Sequence, residues 1–126
     1  MTPSLLNVYR KPGDFAMKDK RVLIIDDQMD FGFLMEAFFA HKGSTVFLAN
    51  SMSEGLRILQ EEAPDFTFLD NNLPKGFGWS KAEFIQASYP QTQLILITAK
   101  EFSKTSSTFR MLYKPFLKDE LRKMFP

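Results

Sequence analysis

The stretch Arg21-Val22-Leu23-Ile24-Ile25-Asp26-Asp27 is an aliphatic run without polar alternation that stops at two carboxylates. A strand buried on both faces of a parallel sheet reads this way, because helices cover both sides and leave no wet face. Downstream of it, Phe31, Leu34, Met35, Phe38 and Phe39 fall at helical spacing, and Gly43 can close that helix in a left-handed conformation. Residues 45–48 predict a second strand. Ser51-Met52-Ser53-Glu54 then has capping-box spacing ahead of a second helix that Pro64 stops.

Residues 66–69 predict a third strand ending at Asp70, followed by a loop rich in Asn, Pro and Gly as far as Gly78. Ser80-Lys81-Ala82-Glu83 offers a second capping box, and Pro90 limits the helix after it. Residues 94–97 form a fourth predicted strand ending at Thr98, and residues 110–113 a weaker fifth ending at Lys114. A last helix is expected over residues 117–124. Strands alternating with helices imply an α/β fold: three layers around a doubly wound parallel sheet of five strands. In such sheets ligands sit beyond the carboxyl ends of the strands. Here those ends carry Asp26, Asp27, Asp70, Thr98 and Lys114.

Composition narrows the function classes. With 16 Lys+Arg against 15 Asp+Glu the chain lacks the broad basic field that nucleic acid or an anionic membrane attracts, so neither is expected as a partner. The absence of cysteine removes disulfides, thiolate metal sites and cysteine nucleophiles together. No apolar run approaches the roughly 20 residues of a membrane span and the N-terminus does not read as a secretory signal, so a cytoplasmic protein is the expectation. A length of 126 residues suits one core. Residues 1–19, with Pro3, Pro12 and Gly13 and no sustained period, read as a flexible N-terminal extension, and residues 20–126 as the folded domain.

Carboxylates converging on one rim repel one another and raise at least one pKa unless a cation lies among them. Hard oxygen ligands without His or Cys favour Mg²⁺. A carboxylate beside Mg²⁺, with a hydroxyl at Thr98 and an ammonium at Lys114, makes a receptacle for a phosphoryl group. Asp70 can attack phosphorus while Mg²⁺ and Lys114 neutralise the phosphoryl oxygens and Thr98 donates a hydrogen bond. Singly, an Asp pair after a strand, a Thr at a strand end or a Lys-Pro pair belongs more often to turn and cap chemistry. Their coincidence at the ends of four different predicted strands carries the functional reading.

These residues resemble the receiver domain of two-component response regulators. The matching features are Ile24-Ile25-Asp26-Asp27, Asp70-Asn71-Asn72-Leu73-Pro74 with Gly78, Thr98-Ala99 and Lys114-Pro115-Phe116. The resemblance implies a flavodoxin-like sheet in the order 2-1-3-4-5, the order the chemotaxis member of the family exemplifies. It implies Asp70 as phosphoacceptor for a histidine kinase or histidine phosphotransfer protein. It also implies Asp27 and Asp70 as direct Mg²⁺ ligands with the main-chain carbonyl of Asn72, and Asp26 acting mainly through water. Thr98 and Lys114 would be the catalytic and switch pair, with the Lys114-Pro115 bond cis, and the start of α1, the helix opening near Asp30, would be where the phosphodonor docks, through Phe31 and Phe33.

Two features depart from the pattern. Residues 99–113 leave little room for a crossover helix, which normally needs about a dozen residues or more besides the strand. The Ser- and Thr-rich segment 100–109 also disfavours a helix interior, so a shortened or missing fourth helix is expected. The position of the family's switch aromatic holds Met111, whereas Phe109 and Tyr113 share its strand parity and are candidate substitutes; simple packing of all three is the plainer reading. Lys100 could reach the rim or stay solvated. Three functions follow: a phosphoaccepting receiver, a phosphorylation-independent docking module favoured by the short crossover and Met111, and a small phosphatase-like enzyme. Asn72 stands where such an enzyme would need its second acid/base Asp. The expectation is therefore no enzyme beyond self-directed phosphotransfer and aspartyl-phosphate hydrolysis.

Overall fold

A computed structural model describes residues 17–73, 76–99, 109–114 and 118–126. The main sheet has strands β1 (Arg21–Ile25), β2 (Thr45–Ala49), β3 (Phe66–Asp70), β4 (Gln93–Ala99) and β5 (Arg110–Lys114). All neighbours are parallel, in the spatial order 2-1-3-4-5. The helices are α1 (Met29–His41), α2 (Met52–Glu62), α3 (Ala82–Ser88) and α4 (Lys118–Met124).

Strand pleat divides the core into two layers. Val22, Ile24, Phe68, Ile95 and Ile97 face α1 and α4 with Met35, Phe38, Phe39, Leu121 and Phe125. Leu23, Ile25, Leu69, Leu94 and Leu96 face α2 and α3 with Ile58, Leu59, Ala82 and Ile85. The first layer absorbs much of the phenylalanine content. Phe39 stands 5.1 Å from Phe125 edge-to-face and 5.5 Å from Phe68, so one aromatic cluster joins α1, β3 and the chain after α4.

The helix stops follow the local chemistry. Gly43 adopts φ 86°, and the N–H groups of Gly43 and Ser44 donate to the carbonyls of Ala40 and Phe39, closing α1 in a Schellman motif. Ser51 caps α2 by accepting the Glu54 N–H at 3.3 Å. A 3₁₀ turn over Gly78–Lys81 leads directly into α3, and Lys81 stands at its N-cap position without a side-chain cap bond of its own.

The domain reaches further upstream than the periodic sequence. Met17 is 2% exposed and packs in the α1 layer, its carbonyl accepts from the Ser44 hydroxyl at 2.6 Å, and the Asp19 N–H donates to Gly43 at 3.0 Å. The shortened fourth helix, Lys100 and the Lys114-Pro115 bond fall on residues outside those described. Among the described residues, no helix is long and apolar enough to cross a membrane.

Because Met17 fills the foot of the α1 layer, Met17→Ala should cost about 2–3 kcal/mol in urea unfolding, with the secondary structure unchanged by circular dichroism.

Candidate functional site

Parallel pairing brings the strand ends to one rim. The Asp26 N–H donates to Ala49 at 2.9 Å and the Asn71 N–H to Ile97 at 3.0 Å, so the ladders carry both chains one residue past β1 and β3. Asp26, Asp70, Thr98 and Lys114 are all buried there, and Asp27 is exposed at the edge. Carboxylate oxygens of Asp26, Asp27 and Asp70 lie within 4.8 Å of one another.

Lys114 crosses this cluster. Its Nζ stands 2.8 Å from Asp26 Oδ2 and 3.3 Å from Asp70 Oδ2, so one ammonium joins the ends of β1, β3 and β5. Asp26 Oδ1 accepts the Gln28 N–H at 2.8 Å, whereas Asp26 Oδ2 has its lysine contact without hydrogen-bond geometry. Asp70 Oδ1 accepts the Asn72 N–H at 3.4 Å. Burial first, and the Asp26 carboxylate second, push Asp70 from the ordinary 3.8 up to about 7, against the opposing pull of Lys114 and the Asn72 N–H. A buried carboxylate oxygen with an ion-pair contact but no hydrogen bond, and a carboxylate pushed toward its neutral form, mark a site with more negative charge than one lysine balances. The oxygen-only donor set of Asp26, Asp27 and Asp70 suits a hard divalent cation such as Mg²⁺, which these three could hold.

Local structure holds the Asp70 loop against the rim. Asn72–Leu73 pairs antiparallel with Gly76–Phe77 in a small ribbon that the sequence reading treated only as loop. The Gly78 N–H then donates to Asn71 at 2.8 Å. A Cβ on Gly78 would collide with the Asp70 carbonyl oxygen, so glycine is required by close backbone approach.

The remaining candidates separate. Thr98 lies one residue beyond Ile97, the register partner of Asp70, and is itself opposite Tyr113. The Tyr113 hydroxyl donates to Met111 Sδ at 3.7 Å, and Phe109 and Met111 pack against the α2–α3 layer. Phe31 and Phe33 do not share one surface. Phe31 is half-buried with Lys114 Nζ 4.5 Å from its ring centroid, while Phe33 is 53% exposed. Sequence reasoning missed Gln28, whose Oε1 accepts from Lys114 Nζ at 2.7 Å. Its position directly after the aspartate pair was the available signal.

The profile of the response regulator receiver domain matches residues 22–125. Among curated proteins, the chain is 31% identical over 83 residues to response regulator protein PilR of Pseudomonas aeruginosa, covering 66% of this chain and 19% of that protein. It is 28% identical over 112 residues to sporulation initiation phosphotransferase F of Bacillus subtilis, covering 84% of this chain and 90% of that one. The chain thus spans a minor part of relatives such as PilR and nearly all of the Bacillus protein. Among solved structures, the receiver domain of NtrX from Brucella abortus superposes with a TM-score of 0.74 at 22% identity, covering 82% of this chain and 92% of that one. Chemotaxis protein CheY4 of Vibrio cholerae gives 0.71 at 22%, covering 83% and 94%.

The unfolded chain releases the Asp70 proton near 3.8, whereas the folded metal-free protein keeps it to about 7. The folded state therefore binds more protons in this window, and stability falls as pH rises through it and levels off above. In EDTA, Asp70→Asn should gain about 2 kcal/mol on the unsubstituted protein between pH 5 and pH 8, read from urea midpoints at each pH.

Proposed function

This chain belongs to the response regulator receiver domain family, and from that premise we propose that Asp70 takes a phosphoryl group from a phosphohistidine donor and returns it to water. An Asp70 carboxylate oxygen attacks phosphorus, the P–N bond breaks, and the imidazole nitrogen leaves with the electron pair and takes up a proton from solvent. Lys114 pairs with a phosphoryl oxygen and the Thr98 hydroxyl donates to another. Asp26, Asp27 and Asp70, with the main-chain carbonyl of Asn72, would hold Mg²⁺, which would supply the positive charge that these carboxylates and the phosphoryl oxygens need to share one rim. The aspartyl phosphate is later hydrolysed in place, so the turnover is self-directed. The single observation that carries this reading is Lys114 Nζ within 3.3 Å of the Asp70 carboxylate while also contacting Asp26.

The output is a shift in partner binding. A phosphoryl group that draws Thr98 toward Asp70 pulls on the end of β4, directly opposite Tyr113 on β5. Tyr113, with Phe109 and Met111 on the same strand parity, is the group positioned to answer. The donor is a histidine kinase or histidine phosphotransfer protein docking on the open end of α1, where Phe33 offers an exposed ring. The naming of the Bacillus relative as a phosphotransferase, with 90% of its length matched, supports a place among phosphorelay receivers.

Incubation with acetyl phosphate and Mg²⁺ should add one phosphoryl group by intact mass. Asp70→Asn or EDTA should abolish the addition, and lack of uptake under every donor would favour a phosphorylation-independent docking module. Phe33→Ala should slow transfer from a phosphohistidine donor about tenfold while leaving the rate from acetyl phosphate unchanged, as quench-flow labelling would show.

A further inference from the structure

Gln28 is the N-cap residue of α1, with φ −88° and ψ 100°, yet its side chain makes no capping bond. Short polar side chains usually occupy this position because they reach back to the free N–H groups of the first turn. The longer Gln28 side chain instead meets Lys114, whose Nζ donates to Gln28 Oε1 at 2.7 Å. That is shorter than the ammonium's contacts with Asp26 at 2.8 Å and Asp70 at 3.3 Å. Phe31, three residues along and at the start of the same helix, adds its ring face 4.5 Å from Nζ.

An ammonium has three N–H donors. Gln28 and Asp70 accept hydrogen bonds from Nζ and Asp26 adds an ion-pair contact, so a phosphoryl oxygen arriving at Asp70 meets a lysine with one donor committed to Gln28 on the α1 side. Of the three partners, only Gln28 is neutral and outside the carboxylate cluster. It is the contact that can be surrendered without leaving a buried carboxylate uncompensated.

We propose that Gln28 is a positioning residue that parks the Lys114 ammonium on the α1 side of the site and so sets how readily it turns to a phosphoryl group on Asp70. The proposal rests on the reading of Asp70 as phosphoacceptor. Gln28 acts on the ammonium and touches no reacting atom. Its backbone N–H bond to Asp26 Oδ1 does not depend on the side chain and is available to Leu or Asn at this position.

Beryllofluoride, a phosphoryl mimic, provides the test in the full chain with saturating Mg²⁺. Affinity is read from the fluorescence of Trp79, the sole tryptophan, which follows the Asp70 loop. Gln28→Leu should bind beryllofluoride about tenfold more tightly, because the free state loses a charge-assisted hydrogen bond that the bound state has already given up. Gln28→Asn, which keeps the amide but is a methylene too short, should follow Leu. In both variants the Lys114 ε-methylene resonance should move in the absence of beryllofluoride. A purely structural part in starting α1 predicts weaker binding, so weaker or unchanged affinity, or a Lys114 resonance that stays in place, overturns the proposal. Failure of the underlying reading looks different: the unsubstituted protein would not bind beryllofluoride, or Asp70→Asn would bind it equally well.

Discussion

One ammonium between two buried carboxylates is the contact on which the rest of the site depends. Lys114 ends β5, Asp26 follows β1 and Asp70 ends β3, so this interaction spans three of the five strands. It is strong because it is dry, and it is incomplete for the same reason. Low dielectric sharpens attraction between Lys114 and each aspartate, and equally sharpens repulsion between the aspartates. The result is a carboxylate raised to about 7 at Asp70 and a rim that gains from added positive charge.

The core makes that arrangement sustainable. Two apolar layers sandwich the strands, and the aromatic contacts among Phe39, Phe68 and Phe125 tie α1 and the C-terminal segment to β3. Because the sheet is close-packed from both sides, its strand ends are stiff platforms, and the polar groups mounted on them cannot drift apart to relieve their repulsion. The strain of the cluster is thus supported by hydrophobic burial elsewhere. Gly78 contributes by letting the chain after Asp70 approach its carbonyl closely.

Much of this was legible residue by residue. Aliphatic runs bounded by Asp, Thr and Lys gave away the parallel strands and their functional ends, since burial on both faces removes polar alternation and leaves polar residues only where the sheet stops. Gly43 and Ser51 likewise announced the ends they make, because left-handed closure and side-chain capping are local events. At α3 the spacing marked the neighbourhood of the helix start, while the 3₁₀ turn over Gly78–Lys81 ahead of it left no local pattern to read. Met17 has no local signal because a single apolar residue has no period, and its burial in the α1 layer is visible only in the folded chain.

What the sequence by itself determined is the fold class, the strand order implied by family resemblance, and the identities of Asp26, Asp27, Asp70, Thr98 and Lys114 as the polar strand ends. These rest on periodicity and on residue chemistry, which are properties of short stretches. Only the tertiary structure decided that Lys114 leans toward α1, that Gln28 and Phe31 receive it there, and that Phe33 points away to solvent. Gln28 and Lys114 are far apart in the chain, and nothing in either local pattern encodes their meeting. Their contact exists because parallel pairing stacks β1, β3, β4 and β5 with their carboxyl ends level, so a side chain leaving the last strand reaches the helix that follows the first.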